Sequence, residues 1–170
     1  MLDLEGARKR RNARIRQSVI RIIEYTILFL AIFIILGRYV FVIRRVESVS
    51  MERTLHDGQL VFGIQTKNVS RGDIIVFEKD GISLIKRVIG VPGDMLYLKD
   101  DGTVCVNDEV LDEPYVFQKS IGEADMQFPV SLGEDEFFVM GDNRMESIDS
   151  RSTKVGIVKR QSITGKIFLK

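Results

Sequence analysis

The chain has 170 residues, 25 basic against 24 acidic side chains, and a formal net charge of +1. That balance excludes a strongly basic nucleic-acid binder and a charged, disordered chain, while 45% apolar content is enough for one packed core. The single cysteine, Cys105, excludes an intrachain disulfide, and the single histidine, His56, argues against both a multi-ligand zinc site and a Ser-His-Asp triad with a spare histidine.

Charge is unevenly distributed along the chain. Residues 1–21 hold seven basic groups, from Arg8 to Arg21, against Asp3 and Glu5, whereas from Arg44 onward 17 basic residues face 21 acidic ones. Between the two lies an uncharged run of 13 residues, Tyr25 to Gly37, followed by Arg38 and a second apolar run, Tyr39 to Ile43. Three readings of this segment compete. A cleaved signal peptide needs a small-residue site after the apolar run, and Gly37-Arg38-Tyr39 is a poor one. A buried core helix is the second reading, but the run is apolar on every face, not along a single stripe. An uncleaved membrane anchor fits best, with Arg38 near its far end snorkelling to the interface. The preceding basic cluster then predicts a cytoplasmic N-terminus, by the bias of cationic residues toward that side. The expected organisation is a basic cytoplasmic segment over 1–21, a transmembrane anchor over 22–43 and an extracytoplasmic domain over 44–170.

The remainder reads as β structure. Apolar runs of strand length recur at Gln59–Gly63, Asp73–Glu78, Leu84–Ile89, Met95–Leu98, Thr103–Val106, Glu136–Met140 and Ser162–Phe168. They are separated by turn signals such as Asp57-Gly58, Asp80-Gly81, Pro92-Gly93 and Asp101-Gly102. Short strands at close spacing, with no helical period between them, predict an antiparallel β-sheet domain. The stretch from Glu113 to Gly133 has weak periodicity and reads as a long loop.

With no spare histidine, a general base at neutral pH must come from Asp, Glu, Tyr, Cys or a perturbed lysine. Lys86 interrupts an apolar strand and, by alternation, shares a face with Leu84 and Val88. Such a lysine is either snorkelling at a sheet edge or buried with a depressed pKa. Ser50, just after the apolar segment, is unremarkable by itself. The segment Gly141 to Arg151 is dense in turn formers and charges and, taken alone, reads as a solvated turn.

Together these three segments resemble the type I signal peptidases, serine–lysine endopeptidases of the membrane. That family's nucleophile box, Ser-Met-x-Pro-Thr-Leu, is matched by Ser50-Met-Glu-Arg-Thr-Leu55, with Arg53 in place of the usual proline. The lysine box is matched by Ile85 to Asp94, and the box Gly-Asp-Asn-Arg-x-x-Ser-x-Asp-Ser-Arg by Gly141 to Arg151 at every fixed position. Arg71-Gly-Asp-Ile-Ile-Val76 and Asp112-Glu-Pro-Tyr115 extend the likeness over essentially the whole chain. The resemblance implies Ser50 as nucleophile and Lys86 as general base. It implies that Ser147 hydrogen-bonds and aims the lysine amine, and that the Ser48 hydroxyl joins the Ser50 N–H in an oxyanion hole. Asp149 and Arg151 are expected to hold the site together as a charged pair, Asp142 and Asn143 to shape the turn beneath it, and Met51 to supply part of its apolar setting. The implied substrates are signal-peptide-bearing preproteins, with small residues at the first and third positions before the cut. Membrane lipids are the other expected partner, with no nucleic acid, no metal and no cofactor; the implied location is the plasma membrane, single-pass. Two rival readings are a self-cleaving repressor-type Ser-Lys peptidase, against which the N-terminal anchor argues, and a catalytically silent membrane-anchored homologue. His56 reads as a surface turn residue and Cys105 as a small buried side chain.

Overall fold

The computed structural model describes residues 4–169, which divide into an N-terminal helix and a β unit beginning at Phe41. The helix, α1, runs over Leu4–Val40. Its interior contains no proline, and Arg38 stands in its last turn, where a cation favours the carbonyl end of the helix. The span Arg10–Val40, 31 residues, is long and apolar enough to cross a bilayer. Its large side chains are uncovered all round: Ile27, Phe29, Phe33 and Ile34 are each more than 60% exposed.

The predicted anchor boundary is corrected here. Residues 41–43 belong to strand β1, Phe41–Arg45, not to the helical segment. The reason is alternation: Val42 is buried in the core while Phe41 and Ile43 pair across to Ile64 and Phe62 of the next strand on the outer face.

Strands then follow in chain order: β2 Leu60–Ile64, β3 Ile74–Lys79, β4 Ile82–Gly90, β5 Met95–Leu98, β6 Val104–Val106, β7 Glu109–Val110, β8 Val130–Ser131, β9 Glu136–Met140, β10 Val158–Lys159 and β11 Ile163–Leu169. Seven form one antiparallel sheet in the order β1-β2-β11-β3-β4-β9-β10, and four form a second in the order β7-β6-β5-β8. Strand β3 lies at the centre of the larger sheet and is covered on both faces. Ile75 and Phe77 join one core cluster, with Val88, Phe137 and Val139, while Ile74 and Val76 join another, with Val42, Met51, Leu55 and Val61. A strand buried on both sides reads as an unbroken apolar run, which is why Ile74-Ile-Val-Phe77 has no polar positions. A third cluster joins Ile89, Phe138 and Met140 to Leu96, Val104 and Val106 of the smaller sheet. Within 113–133, the only regular element is β8.

Three segments of this frame carry the expected site. The connection between β1 and β2 is closed at its base by backbone bonds between Val46 and both Gln59 and Gly58. Inside it, the single 3₁₀ turn Val49–Met51 presents Ser50, and Leu55, fully buried, pins the following turn. Strand β4 carries Lys86, and the loop leaving β9 carries residues 141–151.

Candidate active site

Lys86 lies opposite Ile75 in the β3–β4 register, on the face that Ile75, Val88 and Leu84 share in one cluster. Its stem is therefore set in apolar surroundings, and only 4% of the residue is exposed. At its tip, Lys86 Nζ is 2.5 Å from Ser50 Oγ, across 36 residues of sequence. Burial disfavours the ammonium and lowers the Lys86 pKa to about 8. The Asp149 carboxylate opposes that shift, the Arg151 guanidinium adds to it, and Asp142 opposes it. Near neutral pH the amine is thus close to its own titration point, where it can both take and return a proton.

The loop 141–151 is stitched to the nucleophile's backbone. Asn143 N–H donates to the Ser50 carbonyl at 3.0 Å, and Asn143 Nδ2 donates to the Val49 carbonyl at 3.2 Å. Gly141 sits where no side chain fits: a Cβ there would lie 2.3 Å from Ser147 Oγ and 2.4 Å from the Ser50 carbonyl oxygen. Asp149, fully buried, accepts from Arg151 Nε and Nη2, each at 2.8 Å, and from Gly141 N–H at 2.9 Å. Arg151 also donates to the carbonyls of Ser120 and Arg144. Met51, 1% exposed, packs in the core beneath the turn.

Two expected contacts are made differently. Ser147 Oγ is buried, but among the described residues it has no hydrogen-bond partner, so the expected bond to Lys86 is absent; the Lys86 amine is directed to Ser50 instead. Ser48 Oγ accepts from the Ser50 N–H at 3.1 Å as the cap of the 3₁₀ turn. The two groups expected to serve an oxyanion are therefore bonded to each other, because a turn's first N–H groups need an acceptor.

A second layer of residues was not singled out by pattern. Arg87, next to Lys86 and facing the other way, holds Asp142 in a two-pronged ion pair at 2.8 and 2.6 Å. It also donates to the Gly72 carbonyl and lies 4.0 Å from the centre of the Tyr115 ring. Glu113 forks onto Arg144 at 3.0 and 2.5 Å and accepts from the Tyr115 hydroxyl, whose pKa burial pushes up. A signal existed: two successive cations in one strand face opposite ways, so if both are covered, both need partners. Asp142 answers Arg87 and Ser50 meets Lys86, while the Asp112-Glu-Pro-Tyr115 segment adds the Tyr115 ring over Arg87 and the Glu113 carboxylate on Arg144, tying the long loop to the site.

The lining of the cleft in front of Ser50 comes from residues 44–48, 50–51 and 82–86. Its β4 wall has a free edge. Strand β9 pairs with β4 only from Arg87 onward, so among the described residues Ile82–Lys86 lacks a strand partner on that side. His56 is exposed and lies 2.9 Å from Glu52. Cys105 is buried in β6.

A hydroxyl held against a buried amine of lowered pKa, beside an unpaired strand edge, can perform acyl transfer on an extended peptide; this is the arrangement of a serine–lysine hydrolase. Residues 19–170 match the model of the signal peptidase family, peptidase S26, and the chain belongs to that family. It is similar to signal peptidase I of Bacillus licheniformis, 32% identical over 163 residues, covering 88% of this chain and 87% of that protein. Signal peptidase I T of Bacillus subtilis (strain 168) is 39% identical over 134 residues, 71% of this chain and 68% of that one. A solved signal peptidase I from Enterococcus faecalis V583 is 30% identical, with a TM-score of 0.49 over 59% of this chain and 97% of that one. The protein is a type I signal peptidase, a serine endopeptidase that removes signal peptides from preproteins.

Proposed function

We propose that cleavage proceeds through an acyl-enzyme formed by Ser50 with Lys86 as general base. The observation that carries this reading is the 2.5 Å approach of Lys86 Nζ to Ser50 Oγ in a buried setting. The neutral amine accepts the Ser50 proton as Oγ attacks the scissile carbonyl carbon. The resulting ammonium returns the proton to the departing amine, the new N-terminus of the mature protein. Water then loses a proton to Lys86 and hydrolyses the ester, releasing the signal peptide and regenerating Ser50. The carbonyl oxygen is held by the Ser50 N–H and the Ser48 hydroxyl, after Ser48 rotates off the N–H it now caps; one such donor is worth roughly 3–4 kcal/mol in a transition state. Ser147 Oγ, a buried acceptor beside the Ser50 backbone, takes a hydrogen bond from the ammonium once Ser50 has surrendered its proton. Asp149 and Arg151, with Asp142 and Asn143, keep the loop in place, and Met51 keeps water from beneath it. The signal peptide lies extended along the free Ile82–Lys86 edge.

The pH–rate profile tests the base. Cleavage at limiting substrate is expected to rise with pH and level off above about 8, following the neutral Lys86 amine. Replacing His56 by Gln should leave that profile unchanged. A rising limb centred near ~6.5 that vanishes with His56 would refute a lysine base.

We further propose that α1 spans the plasma membrane with the basic N-terminus in the cytoplasm and the β unit outside, supported by the run of cations from Arg8 to Arg21 ahead of the apolar segment. Membrane lipids then cover α1, and the outer ladder Phe41/Ile64 and Ile43/Phe62 offers the β unit an apolar surface of its own. Protease added to intact spheroplasts should digest the β unit, and the protein should stay with the membrane through alkaline extraction. Protection until lysis would reverse the orientation.

A further inference from the structure

Arg53 stands where the family's nucleophile box carries proline, and its backbone explains what the exchange permits. Its φ is +76°, a left-handed conformation closed to proline, whose ring holds φ near roughly −65°. The side chain turns onto the long loop, with the guanidinium carbon 3.4 Å from the centre of the Phe117 ring. Phe117 is 70% exposed, so the stack stands at the surface. Stacking uses the flat face of the guanidinium and leaves its N–H edges available.

Arg53 and Phe117 wall a second cavity of about 150 Å³, with Glu52, Asn143 and Met145. Two of its other charges sit in ion pairs, Asp142 with Arg87 and Arg144 with Glu113, and the Glu52 carboxylate is turned to His56 Nδ1 at 2.9 Å. Arg53 is the lining cation without a carboxylate partner among the described residues. The cavity lies beyond the nucleophile. The cleft described above ends at Ser50 and Lys86, whereas this cavity is built from the turn that follows Ser50 and from the loop whose Asn143 N–H binds the Ser50 carbonyl.

We propose that Arg53 and Phe117 form a subsite for the first residues of the mature half of the substrate and favour an acidic side chain there. This rests on the reading that the signal peptide occupies the cleft up to Ser50, so that the leaving half crosses the turn at Arg53. A carboxylate in the cavity would meet the guanidinium edges while its methylene stem lies on the Phe117 ring. The preference belongs to specificity, not to the chemical step, because neither side chain reaches the reacting atoms.

The test uses the full-length protein in detergent and preproteins differing only by Glu, Gln or Lys at the first or second position after the cut. kcat/KM is read by mass analysis of the products for the wild type and for Arg53→Gln, Arg53→Glu and Phe117→Ala. The wild type should prefer Glu over Lys by roughly fivefold, the scale of exposed ion pairs. The preference should vanish in Arg53→Gln, invert in Arg53→Glu and weaken in Phe117→Ala. Because each result is a ratio between substrates, partial loss of folded enzyme cancels. A wild type indifferent to the exchange, or a ratio unmoved by both Arg53 variants, overturns the subsite. Cleavage retained by Ser50→Ala would instead overturn the active-site reading beneath it.

Discussion

Alanine at Ser50 or at Lys86 should reduce preprotein cleavage by at least ~10⁴-fold, the scale seen when a nucleophile or its base is removed. The two losses should not add, because each variant lacks half of one proton-transfer unit joined by the 2.5 Å contact. Ser147→Ala should lie between, losing ~10²-fold in turnover as other supporting hydrogen bonds do. Its thermal midpoint should not fall, since the hydroxyl removed is a buried group without a partner among the described residues. Mass measurement of products from purified variants reads the activities, and a melt in detergent reads the fold. Cleavage near the wild-type rate by Ser50→Ala or Lys86→Ala would end the assignment. An unaltered rate in Ser147→Ala would remove that residue from the reaction. Lys86→Ala should also change the pH dependence of stability. The folded-state pKa of about 8 lies below the ordinary value near ~10.4, so the unfolded chain binds the extra proton between them. Wild-type stability should therefore rise with pH from about 8 to ~10.4 and be flat in this contribution below 8, and the slope should be missing from the alanine variant.

Asp149→Ala should be the most destabilising of the single substitutions in the loop. It leaves the Arg151 guanidinium, 0% exposed, without its carboxylate, and strands the buried Gly141 N–H. Breaking one side of a buried ion pair costs about 3–5 kcal/mol, a large part of the stability of an ordinary domain. For a unit of this size that corresponds to a fall of ~10 °C or more in Tm. Asp149→Asn, which keeps an acceptor but loses the charge, should fall between. Gly141→Ala should damage catalysis more than its single methyl suggests, because the new Cβ meets the Ser50 carbonyl oxygen and must push the nucleophile's turn or Ser147 aside. Wild-type melting of Asp149→Ala, or wild-type cleavage by Gly141→Ala, would show that the loop is not the rigid support described above.

These expectations divide between what short-range sequence order carries and what it does not. Alternation and turn chemistry are properties of a few adjacent residues, so β3, β4, β5, β9 and β11 were legible within a residue or two. The apolar character of the anchor segment and the antiparallel class of the domain were legible too, but not that the helix begins at Leu4, inside the basic segment. Strands β7, β8 and β10, two residues each, have no period to read and exist only because a longer neighbour pairs with them. The end of the helix was misread for a related reason: Phe41 to Ile43 is as apolar as the anchor, and only pairing with β2 makes it a strand.

For the site, the sequence by itself determined which residues are candidates, since box composition and order survive without coordinates. It could also say that Lys86 shares a face with apolar neighbours. Only the tertiary structure decided that this amine meets Ser50, that the Ser50 N–H is capped by Ser48, and that Ser147 Oγ has no hydrogen-bond partner among the described residues. It likewise decided that Arg87 and Arg144 are neutralised by Asp142 and Glu113, 55 and 31 residues away in the chain. The physical reason is range. A strand's period is set by its own backbone, but the desolvation that moves a pKa and the partner that answers a buried charge come from segments brought together by the sheet. Those terms depend on distance in space, and nothing local in the sequence encodes them.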